Sequence, residues 1–62
     1  MTDSDYVQIQ VDIGNPAGSW RTLNTVMNYP QYIAHAMKQL ANMNPGKRIR
    51  AVDENGRLVD ML

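Results

Sequence analysis

A proline stands at each end of the one stretch of this sequence that carries helical periodicity. Pro30 can occupy the first turn of a helix, where its missing N–H is not needed, and Pro45 followed by Gly46 prevents the helix from continuing. The spacing predicts a helix that begins at residue 29 or 30 and ends at residue 43 or 44. The segments on both sides of it are rich in β-formers and turn formers, so the sequence predicts one helix between strands.

The ends and faces of this helix can also be predicted. Asn28 is expected to cap it, with Gln31 completing a capping box. His35 and Lys38 fall on the outer side of the helical wheel. The apolar residues follow the i, i+4, i+7, i+8 spacing and should pack on a sheet; they are Ile33, Met37, Leu40 and Ala41, with Ala34 and Ala36 on either side.

The residues before the helix predict two strands. Residues 6–13 alternate, with apolar side chains at every second position, as in a half-buried strand. Residues 14–19 are dense in turn formers and should reverse the chain. A second strand begins near Trp20, and its Leu23 and Val26 would fall on opposite faces. This irregular pattern favours a β-bulge or an edge position.

Two further strands are predicted after the helix, at residues 47–53 and 57–62. Asp53 and Gly56 suit the first and fourth positions of a type I turn, which continues into a G1 bulge and pairs Asp53 with Arg57. A two-residue turn at Asn55 and Gly56 would instead mix carboxylates into an apolar face. We therefore expect the bulged three-residue loop, with Gly56 at positive φ.

The bulged loop also predicts which side chains share a face. Arg50 should lie opposite Asp60, and Val52 opposite Leu58, on the side away from the helix. The side chains expected to face the helix are Ile49, Ala51, Val59 and Met61.

Together these elements predict an α+β fold of β-β-α-β-β order. It is a four-stranded, mainly antiparallel sheet with one helix packed on one face and the strand order 2-1-3-4. A chain of 62 residues has room for one domain, residues 1–62, of which residues 1–5 are expected to form a flexible tail.

Composition excludes several classes of function. Six basic and six acidic residues give a net charge of zero, so no overall field attracts nucleic acid or an anionic membrane. The absence of cysteine excludes disulfides and thiolate metal sites, and one histidine cannot build a zinc cage. The acidic start and the lack of a long apolar run favour a cytoplasmic protein without membrane contact. No cofactor or metal site is expected.

No catalytic signature is present. The sequence lacks a phosphate-binding glycine loop, a nucleophile elbow and a metal-ligand cluster. His35 is expected to be a solvated surface residue, and Asp53 and Glu54 are expected to serve the turn. The prediction is a non-enzymatic protein.

The most informative apolar side chains are those expected on the sheet face away from the helix. One helix cannot cover both faces, and exposed apolar clusters of this kind mark association. The small size and the absence of cross-links point the same way. We expect a protein-interaction module that forms a homodimer or binds another protein; the candidate interface residues are Val52, Leu58, Leu62, Trp20 and Tyr6.

An alternative function is nucleic-acid binding. Basic side chains together with Trp20 and Tyr6 could form a sheet surface that stacks single-stranded bases. The neutral total charge disfavours this alternative, because nucleic-acid domains normally carry a basic excess. The candidate contacts are Arg21, Lys47, Arg48, Arg50 and Arg57.

The Trp-bearing hairpin, the short helix and the ending at residues 49–60 (IRAVDENGRLVD) also carry a resemblance. In these features the chain resembles small uncharacterised bacterial and phage-type proteins with a hairpin-helix-hairpin pattern. The resemblance implies the β-β-α-β-β layout and a bacterial or phage origin. It implies no activity that could be assigned to a residue.

Overall fold

The four strands form one antiparallel sheet in the order β2-β1-β3-β4, as predicted. The computed structural model describes residues 5–14 and 18–62. The expected tail, except Asp5, and the centre of the first turn lie outside the described residues. The elements are β1 (Tyr6–Asp12), β2 (Trp20–Met27), α1 (Pro30–Met43), β3 (Ile49–Asp53) and β4 (Leu58–Met61). The predicted α+β class and helix bounds are confirmed.

The prediction that Asn28 caps α1 was wrong. The N-cap is Tyr29, in an extended conformation with φ −125° and ψ 138°, and no side-chain cap hydrogen bond is formed. Pro30 is the cause, because a proline disfavours helical angles in the residue before it. The residue immediately before the proline therefore becomes the cap, and the expected capping box with Gln31 is not made.

The hydrophobic core lies between α1 and one face of the sheet. Ile9 and Met37 are among its largest fully buried side chains. Leu40 and Ala41 pack against the core and stay partly exposed, whereas Ala34, His35 and Lys38 are exposed. The predicted helix face is confirmed. The buried members of the core cluster are Val7, Ile9, Val11, Ile33, Ala36, Met37, Ile49 and Ala51.

The turn between β3 and β4 has the predicted form. The N–H of Asp53 donates to the carbonyl of Arg57, the N–H of Gly56 donates to the carbonyl of Asp53, and Gly56 has φ 80°. The Asp53 carboxylate accepts the backbone N–H groups of Asn55 and Arg57. Val52 lies opposite Leu58, also as predicted.

The register beyond this pair differs from the prediction. A second irregularity, at Val59, places Arg50 opposite Met61 and Ala51 opposite Asp60. The expected pairing of Arg50 with Asp60 was therefore wrong, and Met61 lies on the face away from α1 instead of towards it. One extra residue in a bulge moves every later side chain to the other face of the sheet.

Strand β2 contains the bulge that its pattern predicted. The register shifts between Ile9, which pairs with Asn24, and Gln10, which pairs with Thr22, and this leaves Leu23 as the extra residue. β2 is also an edge strand. Both alternatives suggested by the irregular pattern are therefore realised.

Candidate functional site

The sheet face away from α1, called the open face below, is the candidate site. Strand alternation puts side chains from all four strands on it, and α1 packs on the opposite face. Arg48, just before β3, joins them through contacts described below. The open-face strand residues are Trp20, Thr22, Thr25 and Met27 of β2, Tyr6, Gln8, Gln10 and Asp12 of β1, Arg50 and Val52 of β3, and Leu58 and Met61 of β4.

The centre of the open face is a polar network around Gln10. The Gln10 side-chain amide donates to the Thr22 hydroxyl at 3.1 Å, and the Arg50 Nε–H donates to the Gln10 amide oxygen at 2.8 Å. The Thr22 hydroxyl in turn donates to the Gln8 amide oxygen at 3.4 Å. These bonds link β1, β2 and β3 and hold the Arg50 Nε beside Gln10. Sequence alternation assigned Gln8 and Gln10 to this side but gave no sign of their partners.

Trp20 and two arginines form a second group at one end of the open face. The Arg50 guanidinium lies 4.1 Å from the centroid of the Trp20 ring, and that of Arg48 lies 5.7 Å from it. Both distances fit cation–π contacts. Arg48 also approaches the Met61 sulfur, with Nη2 to Sδ at 3.8 Å. The structure thus brings Trp20, Arg48 and Arg50 together.

The other candidate interface residues lie at different places. Tyr6 is 52% exposed and Leu58 is 58% exposed, and both are on the open face, towards the end opposite Trp20. Val52 is also on this face but is only 5% exposed. Leu62 follows β4 and donates its N–H to the carbonyl of Ile49, which places it level with a residue that faces α1. Met61 takes the open-face position that the sequence assigned to Leu62.

Charge is unevenly distributed between the two ends of the sheet. Among the described residues, the end where β3 begins, called the basic end, has four cationic side chains and one carboxylate, and the opposite end, called the acidic end, has three carboxylates and one arginine. Asp60, opposite Ala51, lies midway between them. Glu54 is fixed at the acidic end because its Oε1 accepts the N–H groups of Asp5 and Tyr6. The residues of the basic end are Arg21, Lys47, Arg48, Arg50 and Asp12. The residues of the acidic end are Asp5, Asp53, Glu54 and Arg57.

The five candidate nucleic-acid contacts lie in different parts of the molecule. Arg48 and Arg50 share the open face with Trp20. Arg21 pairs with Val11 and so points to the helix side of the sheet, and Lys47 lies in the turn before β3. Arg57 is at the acidic end. The basic side chains do not form one continuous stripe.

The β2 edge is poorly suited to pairing with another strand. The bulge at Leu23 interrupts its ladder. The backbone N–H of Asn28 donates to the carbonyl of Asp5 and so points towards β1. Because successive N–H groups of a strand point to opposite sides, the N–H of Thr25 points away from β1. That N–H is taken by the Asn24 side chain at 2.9 Å. A bulge and an occupied amide both hinder the addition of a strand.

The β4 edge repeats the same two features. Val59 is bulged. The Leu62 N–H bonds to β3, so the Met61 N–H points outwards, and the Asp60 carboxylate accepts it at 2.8 Å. At each edge, one residue is bulged, and the side-chain oxygen of an Asn or Asp accepts the outward-pointing N–H of the residue that follows it. Both edges of the sheet are therefore poorly suited to pairing with a further strand.

The structure gives His35 no catalytic partner among the residues that line its surroundings. It borders a groove of about 360 Å³ between α1 and β2, shared with Tyr32, Val26 and Met27, and none of the described residues in that lining is a carboxylate. The part of the chain that the structure describes holds no group of three or more His, Cys, Asp or Glu side chains placed to bind a metal ion. Within residues 5–14 and 18–62, no helix is both long and apolar enough to cross a membrane.

No protein-family model, no curated protein and no solved structure matches this chain. Its function must therefore be inferred from the geometry of the open face.

Proposed function

We propose that this chain is a small non-enzymatic protein-interaction module that associates, with itself or with another protein, through the open face. The observation that carries the proposal is that one whole side of the sheet is uncovered by any described element while its side chains are already ordered by hydrogen bonds and cation–π contacts. Ordered side chains lose little conformational entropy when a partner binds.

The composition of the open face supports a protein partner. Interface cores are enriched in tyrosine, tryptophan, methionine and arginine. The open face contains all four residue types, with Tyr6 and Leu58 about half exposed. Lysine is absent from the open-face positions of the strands. These features favour a surface that becomes buried over one that stays solvated.

Site-specific photo-crosslinking in the native cells tests the proposal. A photoreactive amino acid is placed at Leu58 on the open face and, as the matched control, at Lys38 on the outer side of α1. We expect a discrete protein adduct from position 58 and none from position 38. An adduct of twice the chain mass identifies self-association, and a different mass identifies another protein.

Equal adducts from both positions, or none from position 58, would contradict the proposed function. The readout does not depend on knowing the partner beforehand. Because Leu58 is already exposed, the replacement does not disturb the core.

Nucleic-acid binding is the second candidate, supported by the meeting of Trp20 with Arg48 and Arg50. Base stacking needs a free aromatic face, and Arg50 already lies over the Trp20 ring at 4.1 Å. Its Nε is held by Gln10 as well. Titration with single-stranded RNA and DNA at low salt decides the matter: tight binding that weakens steeply with added salt would favour this alternative over a protein partner.

A further inference from the structure

We propose that the partner of the open face is a second copy of this chain, stacked face to face about a two-fold axis that lies in the interface at right angles to the strands. This inference rests on the proposed function and adds the partner and its orientation. The axis passes over the Ile9–Ala51 pair, at the middle of the two central strands.

Four of the six pairs of open-face strand positions have matching chemistry on either side of this axis. The rotation places each strand over the same strand of the second copy, running in the opposite direction. Each open-face residue therefore lies over the residue of that strand that is equally far from the axis on its other side. On β2, Trp20 then meets Met27 of the second copy, and Thr22 meets Thr25. On β1, Gln10 meets Gln8. On β4, Met61 meets Leu58. The two remaining pairs, Arg50 on Val52 and Tyr6 on Asp12, are unlike in chemistry. The strand positions that set these matches come directly from the sheet register.

The rotation also matches charge. It lays the basic end of one copy on the acidic end of the other, so that Arg48 lies over Glu54 twice in the dimer. Two packed sheets keep their strands within about 30° of each other, so this end-to-end correspondence is retained. A two-fold axis parallel to the strands would instead superimpose the two basic ends, which repel each other.

The size of the face sets the expected strength. The four strands have 7, 8, 5 and 4 residues. At about 3.3 Å per residue and about 4.8 Å between strands, they give an area of roughly 380 Å² per copy. This is about half the area that one partner buries in a standard interface, which places the dimer in the weak, transient class. We therefore expect a dimer that dissociates on dilution. The blunted edges of β2 and β4 leave the face as the surface available for it.

Charge reversal tests the orientation. Arg48→Glu and Glu54→Lys each create two repulsive contacts in the proposed dimer. Sedimentation equilibrium should show that each variant self-associates about tenfold or more weakly than the wild-type chain. Lys38→Glu, the same charge change on the outer side of α1, should leave self-association unchanged.

Mixing the two variants gives the sharper result. In the mixed dimer the introduced glutamate of one copy faces the introduced lysine of the other, and the unchanged Glu54 of the first copy faces the unchanged Arg48 of the second. An equimolar mixture should therefore recover wild-type association as a heterodimer. High salt should weaken both the wild-type dimer and the mixed dimer. Glu54→Gln is a second variant that keeps an amide oxygen for the N–H groups of Asp5 and Tyr6; it should weaken association less than Glu54→Lys.

Two outcomes would overturn the inference. Wild-type chain that stays monomeric up to millimolar concentration removes the second copy as partner, while an open-face crosslink to another protein would still support the proposed function. Self-association unaffected by either single charge reversal would show that the two copies meet in another way.

Discussion

The two faces of the sheet differ in how their side chains are held. On the face covered by α1, the described side chains that are buried are all apolar, and packing alone holds them. On the open face, Gln10, Thr22 and Arg50 are joined by hydrogen bonds and remain in contact with solvent. Neighbouring residues of one strand, such as Gln8 and Ile9, therefore contribute to different properties of the molecule.

The difference indicates which face contributes most of the stability. Burial of apolar surface contributes the larger free energy, about 25 cal/mol per Å², whereas exposed hydrogen bonds and cation–π contacts contribute about 1 kcal/mol or less each. The covered face thus keeps the chain folded. The exposed side chains of the open face, unlike the buried Val52, can change at small cost to folding.

The largest expected effect is a difference in the free energy of unfolding between variants at two adjacent residues of β1. Ile9→Ala removes a fully buried side chain from the core and should lower the free energy of unfolding by about 2 to 5 kcal/mol. Gln8→Ala, one residue away on the open face, should change it by about 0.5 kcal/mol or less. Urea denaturation of both variants measures the two values. Equal losses would show that the faces are not distinct in the way described.

The next effect concerns the turn that orients β4. Gly56 has φ 80°, a conformation that a residue with a side chain rarely adopts, so Gly56→Ala should cost about 1 kcal/mol or more. Asn55→Ala is the control within the same loop and should cost less. Thermal unfolding compares the two midpoints; an unchanged midpoint for Gly56→Ala would contradict the bulged turn.

A smaller effect is expected on the open face itself. Arg50→Gln removes the cation over Trp20 and the bond to Gln10, and should lower the free energy of unfolding by about 0.5 to 1 kcal/mol. The Trp20 fluorescence spectrum should also change. Arg57→Gln, at the acidic end, serves as the control and should leave the emission as it is. Identical spectra for wild type and Arg50→Gln would refute the Trp20 contact.

The smallest effect is expected on the outer side of α1. His35→Ala and Lys38→Ala should each lie within about 0.5 kcal/mol of the wild-type stability, because both side chains are exposed. Denaturation curves measure this, and a loss at His35 as large as that at Ile9 would mean that the helix is rotated relative to the sheet.

The sequence predicted those features of the fold that depend on local signals. Alternation in β1, the two prolines around α1 and the Asp53–Gly56 turn are each contained in a few neighbouring residues. The bulge at Val59 has no such signal, because no glycine or proline marks it and it arises from how β4 fits against β3. The partners of Arg50 could not be predicted for the same reason: Gln10 is 40 residues away, and the contact depends on the final register.

A concentration series of NMR spectra tests most directly whether molecules associate through the open face. The indole N–H of Trp20 and the side-chain amides of Gln8 and Gln10 report on that face, and the backbone amides of Pro30–Met43 beyond the proline report on α1. From micromolar to millimolar concentration, we predict that the open-face signals shift progressively while those of the helix stay in place. Two results would contradict the proposal that this face is the interaction surface. The first is a set of shifts confined to α1 or to the strand edges. The second is a set of open-face signals that move neither with concentration nor when a partner protein identified by crosslinking is added.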